Sequence, residues 1–340
     1  MRPFLYQRAN GLAEAVQAAA SHDRGRLPPT MAAAQYLAGG TTLLDLMKLD
    51  VMRPEVLVDI NSLDPAGTRI ERRVDGLYLG AFVTMAAAGE HPEIRHDYPV
   101  VAQALDLAAS PQIRNMATLG GNVLQRTRCN YFRDPSWGAC NKREPGTGCA
   151  AQGGVNRKHA VLGVSDHCIA AYPGDFAQAL VALDAGVEIV GPGGPRLMPF
   201  EQLHRLPGDT PHIETVLAPG ELIVGFRLPV APWTRRSLYL KIRDRQSYEF
   251  ALASAAVALD LADGVVNEAR IALGGVAAKP WRAREAEAAL NGRAIDEAAA
   301  RHAADAAFAA ARTLGENDYK PELGRRTLVR ALLQAAQLSI

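Results

Sequence analysis

Outside one window the chain has no cysteine at all. All four lie between residues 129 and 168 of 340, as Cys129, Cys140, Cys149 and Cys168. Aromatic residues are scarce at 6%, and charge of one sign is not in excess: 37 Lys plus Arg against 36 Asp plus Glu leave a formal net charge of +1. That balance argues against a nucleic-acid partner, which calls for a basic surface. No apolar run reaches the roughly 18 residues of a membrane span. The start, Met1-Arg2-Pro3-Phe4, has neither an apolar signal region nor a twin-arginine pair, so the chain reads as cytoplasmic unless a partner carries it across a membrane. Several motifs are missing too. There is no C-x-x-C knuckle, no G-x-G-x-x-G and no glycine loop ending in Gly-Lys-Ser/Thr. Ser165-Asp166-His167 is contiguous and so cannot fold into a hydrolytic triad.

The length suggests two domains. Residues 11–21 carry helical periodicity. A short strand is expected into Tyr36–Ala38, then a tight turn at Gly39-Gly40 and a helix begun by Thr41 or Thr42. Leu57–Ile60 reads as a buried strand, and Gly76–Thr84 as a strand pair with a hairpin near Asp75-Gly76. Helices are expected from about Thr84 and over Val100–Ala109, the second ending at Ser110-Pro111. Ile169–Tyr172, Val187–Val190 and Glu221–Leu228 read as strands, Phe176–Asp184 as a helix, and Gly191–Pro195 as a loop. Pro229 and Pro232 mark a linker. Beyond it, Ser237–Ile242 reads as a strand. Ala251–Leu261 is apolar and fits helix or strand, but the Asp263-Gly264 turn favours a hairpin with Ala269–Leu273. Residues 283–339 hold alanine-rich helices.

Two stretches place Gly-Gly beside hydroxyl side chains: Ala38-Gly39-Gly40-Thr41-Thr42 and Thr118-Leu119-Gly120-Gly121-Asn122. Without Cβ atoms a backbone comes close to a ligand, and successive N–H groups then cradle an anion, most often phosphate. Two such loops suit the two phosphates of a dinucleotide, although either is also explained as a plain turn. The cysteines run C-x10-C-x8-C-x18-C through a polar, irregular segment that needs something to order it. Four thiolates suit a [4Fe–4S] cluster or zinc; unrelated free cysteines would sooner sit in a core. His159 and His167 fall in the same window, and His167, beside Cys168, is a candidate replacement ligand. Asp175 is explained as a helix cap or as an acceptor for a sugar or ribityl hydroxyl. Lys241, inside a strand, is either a surface residue or a positive charge near a flavin carbonyl.

Tyr36–Leu43, Gly80-Ala81 and Gln112–Asn115 followed by Thr118–Asn122 resemble the flavoprotein subunit of the xanthine dehydrogenase / carbon monoxide dehydrogenase family of molybdenum hydroxylases. The resemblance runs along the whole chain. The cysteine insert is most similar to that in FAD subunits of bacterial periplasmic aldehyde oxidoreductases, with a related insert in 4-hydroxybenzoyl-CoA reductase. It implies an α+β fold: a two-lobed FAD-binding PCMH-type domain, like that of vanillyl-alcohol oxidase, plus a C-terminal CO dehydrogenase flavoprotein-type α/β domain. Residues 1–228 would form the first, with lobes of about 1–60 and 61–228 and the insert at about 124–168; residues 232–340 would form the second. Tyr36, Leu37, Ala38, Gly39, Gly40, Thr41, Thr42 and Leu43, with Thr118, Gly120, Gly121 and Asn122, would wrap the FAD pyrophosphate. Asp175, Ile223 and Lys241 match further FAD contacts, and Cys129, Cys140, Cys149 and Cys168 the [4Fe–4S] ligands.

The implied assembly is a heterotrimer with a large molybdenum-cofactor subunit and a small subunit holding two [2Fe–2S] clusters. Substrate is oxidised elsewhere, and this subunit, with no catalytic residue beyond FAD itself, passes electrons to an external acceptor. Location would be periplasmic through a partner's export signal. The alternatives are a self-contained FAD oxidase or dehydrogenase, the flavoprotein subunit of a hydroxybenzoyl-CoA reductase-like enzyme, and a zinc-stapled binding protein.

Overall fold

A computed structural model describes residues 1–22, 27–63 and 65–340. Three sheets follow one another along the chain. The first holds β1 (Leu5–Arg8), β2 (Ala34–Leu37) and β3 (Val56–Asp59) in the order β1-β3-β2, all parallel. Central β3 is buried at all four positions, which is why it reads as a continuous apolar run. The expected helix forms over Leu12–Ser21 and packs its Ala15, Ala18 and Ala19 against this sheet.

The second sheet is antiparallel. It comprises β4 (Ile70–Arg73), β5 (Gly76–Gly80), β6 (Gly186–Gly191), β7 (Gly194–Pro199) and β8 (Leu222–Pro229) in the order β4-β5-β8-β6-β7. The hairpin expected near Asp75 exists, but β5's partner is the upstream β4, while Ala81–Thr84 only leads into the helix Met85–Glu90. Thr84 caps that helix, its Oγ1 accepting from Ala87 N–H at 3.2 Å. Gly191–Pro195 is not a plain loop. It tightens into a hairpin that brings β7 onto β6, a strand whose Pro195 and Pro199 hide its signature. Ile169–Tyr172 forms no strand; Tyr172 N–H instead donates to Ala277 O at 3.0 Å.

The third sheet, β12-β11-β10-β9, is an antiparallel meander of β9 (Ser237–Ile242), β10 (Ala253–Ala262), β11 (Val265–Gly274) and β12 (Trp281–Arg282). Asp263 and Gly264 both take positive φ (51° and 79°), the conformation a two-residue hairpin needs. Alanine prefers helices, yet β10 is largely alanine because both its faces are covered. Ala255, Val257 and Leu259 face the helices Arg284–Leu290, Glu297–Ala307 and Lys320–Ala336. Ala256 and Ala258 face the other way, into the core shared with the second sheet. The helix Phe176–Ala182 lies within that core and is buried at every position. Small residues on the strand let it approach this closely. The two sheets therefore share one packed interior.

Between the helix Leu119–Val123 and Asp175 the chain is mostly turns, with one short helix at Asn130–Arg133 and isolated bridges pairing Cys140 with Cys149 and Ser165 with Cys168. No helix among the described residues is long and apolar enough to cross a membrane.

Phe226 on β8 is fully buried, with Phe176 and Phe200 edge-on to its ring at 5.6 and 5.9 Å. Phe226→Ala is expected to cost about 3–5 kcal/mol in urea unfolding. Leu197→Ala, at a site 52% exposed, should stay within about 0.5 kcal/mol. Equal losses would mean that the shared core is not where stability resides.

Candidate cofactor cleft and cysteine cluster

The first glycine turn joins β2 to the helix Leu43–Lys48. Gly40 has φ +70°, a conformation other residues rarely adopt. A Cβ on Gly39 would lie 1.8 Å from Met116 O, so the first lobe touches the second backbone to backbone. The expected helix start at Thr42 is correct in place, but its hydroxyl makes no capping bond. The N–H groups of Gly39, Gly40, Thr41, Thr42 and Leu43 donate to no acceptor among the described residues; Leu44 is the first to do so, to Gly40 O at 3.0 Å. A row of uncommitted amides is an anion cradle.

The second turn differs. Thr118 caps Leu119–Val123, its Oγ1 accepting from Gly121 N–H at 3.2 Å. Leu119, Gly120 and Asn122 donate to Val83, Ala81 and Thr118 carbonyls at 2.8–2.9 Å. A Cβ on Gly120 would come 3.0 Å from that of Ala81. Glycine here serves packing, and a Cβ on Gly121 would meet Thr118 Oγ1 at 3.0 Å. The turns look alike as sequence. The structure makes the first a donor surface and the second a wall.

Between them lies a hollow of about 1170 Å³, lined by Tyr36, Ala38–Leu43, Thr118, Gly120, Gly121 and Ile223. Leu37 does not line it; its side chain packs beside Phe132 and Cys140. Tyr36 Oη donates to Gly220 O at 2.7 Å, and burial raises its pKa. Through Thr41, Thr42 and Ala117 the hollow adjoins a second one of about 1250 Å³, where Asn122 and Asp175 are found. Asn122 Oδ1 is buried without a partner among the described residues, an acceptor that asks for a donor.

Asp175 precedes the helix Phe176–Ala182 but does not cap it. Tyr239 Oη donates to its Oδ1 at 2.5 Å and Lys241 Nζ to its Oδ2 at 2.7 Å. Lys241, its side chain 1% exposed, also donates to Leu107 O at 3.1 Å and is not among the residues lining either hollow. Its charge is thus directed at Asp175. Tyr239 escaped the sequence reading, although it lies two positions before Lys241 and so on the same face of β9. Burial, then the neighbouring Asp175 charge, raises its pKa well above normal.

Two ion networks were also not foreseen. Arg128 and Arg133 both pair with Asp45 at 3.3 and 2.9 Å, all three lining the second hollow. Glu214, its side chain 15% exposed, pairs with Arg126 and Lys142 at 3.1 Å each. Burial pushes the Glu214 carboxyl up, but the two cations outweigh it and bring it to about 2. Alternation of Arg126 and Arg128 just after the glycine turn was the available signal.

All four cysteines are free. Cys129 lies within electrostatic reach of Cys140 and Cys168, and Cys168 of Cys149 and Cys140. Cys140 and Cys129 pack with Leu43, Leu44 and Leu46, on the helix that follows the first glycine turn. The sulfur of Cys168 accepts from Ala170 N–H at 3.5 Å. His159, 6% exposed, places Nε2 at 3.2 Å from Cys129 Sγ; burial lowers its pKa to about 4. His167 instead turns to Asp209 at the surface, 3.3 Å away, so it is not placed to replace a cysteine. Burial pushes the Cys129 thiol up to about 12 and raises that of Cys168. Such thiols stay protonated unless a cation draws off the proton. Among the described residues no three Cys, His, Asp or Glu side chains converge at the spacing of a single metal ion. A cubane, with one thiolate to each iron, needs a wider one.

Amides left free along a cleft between two α/β lobes define a protein that holds a phosphate-bearing organic cofactor. Residues 2–231 match the FAD binding domain in molybdopterin dehydrogenase, and residues 238–338 the CO dehydrogenase flavoprotein C-terminal domain. The chain belongs to this family of FAD-binding subunits. It is 45% identical to the aldehyde oxidoreductase FAD-binding subunit of Escherichia coli (strain K12) over 336 residues, 98% of this chain and 99% of that one. To the carbon monoxide dehydrogenase medium chain of Hydrogenophaga pseudoflava it is 27% identical, over 88% of each. Reconstituted CO dehydrogenase from Oligotropha carboxidovorans superposes with a TM-score of 0.76 at 26% identity, covering 100% of both chains.

Gly39→Ala is expected to force the turn off Met116 O and to purify with little FAD, whereas Gly193→Ala, with open space around it, should keep full flavin absorbance. Full occupancy in the first variant would show that the turn does not shape the cleft. For Glu214 the depressed pKa means stability present above the unfolded value of 4.5 and lost as pH falls toward 2. The gap in unfolding free energy between wild type and Glu214→Gln should therefore shrink by on the order of 3 kcal/mol between pH 5 and pH 2. A gap that does not change with pH would refute the pairing.

Proposed function

We propose that the chain is the electron-transfer flavoprotein subunit of a molybdenum-containing aldehyde oxidoreductase, holding FAD and a [4Fe–4S] cluster. The observation that carries FAD is the row of five uncommitted amides, Gly39–Leu43, facing a cleft that also contains the orphaned Asn122 Oδ1. The aldehyde oxidoreductase reading rests on 45% identity across nearly the whole chain.

In this reading the Gly39–Leu43 amides and the Thr41 and Thr42 hydroxyls hold the pyrophosphate. Thr118, Gly120, Gly121 and Asn122 close the opposite side, and Tyr36, Ala38 and Ile223 supply van der Waals contact. Asp175 keeps a lone pair on each oxygen after bonding Tyr239 and Lys241, and those accept from a ribityl or sugar hydroxyl. Lys241 then acts through Asp175, holding its carboxylate in place. FAD, when bound, supplies a centre that takes electrons from iron–sulfur groups and gives them to an external acceptor.

Cys129, Cys140, Cys149 and Cys168 hold the cluster, which supplies a further one-electron centre. The neighbouring Lys142 offsets its negative charge. The domains divide at the end of β8, between residues 228 and 232. A large molybdenum-cofactor subunit and a small subunit with two [2Fe–2S] clusters complete the assembly, and a partner's export signal takes it to the periplasm.

Protein purified anaerobically should show flavin bands over a broad iron–sulfur shoulder, with about four irons per chain as four cysteine ligands imply. Cys140→Ser should lose the iron and keep most of the FAD. Zinc in place of iron would sink the cluster, and a chain that binds no added FAD would sink the flavin reading.

A further inference from the structure

His159, which in the sequence only falls in the cysteine window, is buried at 6% exposure beside Cys129. Its Nε2 lies 3.2 Å from Cys129 Sγ, while Nδ1 makes no hydrogen bond among the described residues and the residue borders a hollow shared with Cys129, Lys158 and Phe250. The backbone around it is held from the end of the chain. Lys320 Nζ donates to Lys158 O at 3.1 Å, Tyr319 Oη to Arg157 O at 3.1 Å, and Asn317 Nδ2 to Ala160 O at 3.1 Å. Asn156 Nδ2 donates to Leu314 O at 2.7 Å. Residues 314–320 thus fix 156–160 on both sides of the imidazole.

A metal-bound thiolate carries no proton and only accepts hydrogen bonds. The Nε2···Sγ contact is then satisfied in one way, with Nε2–H as donor. We infer that His159 is a positioning residue for the redox centre: clamped by the C-terminal domain, it donates a hydrogen bond to the Cys129 sulfur and raises the reduction potential of the cluster. Reduction adds negative charge that spreads onto the ligand sulfurs, so an N–H aimed at one of them favours the reduced form. The inference rests on the [4Fe–4S] reading above.

The test uses the full-length chain, purified anaerobically, with iron content measured first. If the wild type holds no iron, the cluster reading itself fails. If it holds about four irons, His159→Leu and His159→Gln are compared by potentiometric titration and by EPR of the reduced cluster. Leucine removes the donor and should lower the potential and shift the EPR signal. Glutamine keeps an N–H and should recover most of both. An iron-bearing leucine variant with the wild-type potential overturns the inference, and so does a glutamine variant that falls as far as leucine, since shape and not the N–H would then be responsible. Should leucine lose its iron, the glutamine variant decides: wild-type iron and potential support the hydrogen bond, and loss of either overturns it.

Discussion

Gly39 lies so close to the Met116 carbonyl that no side chain could survive there: a Cβ would sit 1.8 Å from that oxygen. Two lobes are in contact there through backbone alone, and much of the cleft follows from it. Because residue 39 is pressed onto the second lobe, the turn after β2 runs along the lobe boundary instead of away from it. Its amides are then neither in a helix nor in a sheet. Five donors in succession remain without partners among the described residues, a state that persists only where water or a ligand supplies the acceptors. The opposite turn, its own donors consumed by Val83, Ala81 and Thr118, is the rigid surface against which the first is set.

Charge continues the same connection deeper. Arg126 lines the cleft, lies over the Phe132 ring, and pairs with Glu214, which in turn holds Lys142 between Cys140 and Cys149 in the chain. A buried ion group of this kind adds little net stability compared with apolar packing. What it does is fix relative position: moving any one member leaves the others buried and unpaired. Cleft and cysteine segment are also joined through apolar contact, since Leu43 and Leu44 pack with Cys129 and Cys140. Whatever binds at the glycine turn is one helix away from the thiols.

Much of this was legible in the sequence. β3 and β8 announce themselves by apolar runs, the helix at Leu12–Ser21 by periodicity, and the Asp263-Gly264 hairpin by its turn chemistry. β7 was lost because its prolines argue against a strand, and Ile169–Tyr172 was misread because an apolar run buried by long-range contacts looks the same as one in a ladder. Among the residues singled out in the sequence, the glycines, Asn122, Ile223 and Asp175 line the two hollows. Leu37 and Lys241 do not line them, and the reason is tertiary: one is drawn into the packing beside Cys140, the other onto Asp175. The roles of Tyr239, Glu214 and His159 depend on partners 64, 88 and 30 residues away, and no local pattern carries such information.

The clamp at residues 314–320 bears on how the chain folds. The carbonyls of Arg157, Lys158 and Ala160 receive their side-chain donors only from the start of the final helix and the turn before it. Those donors lie 157 to 162 residues further along the chain than the carbonyls they bind. The segment that carries the cysteines is thus closed by side chains of the C-terminal domain, and its folding is coupled to that domain's.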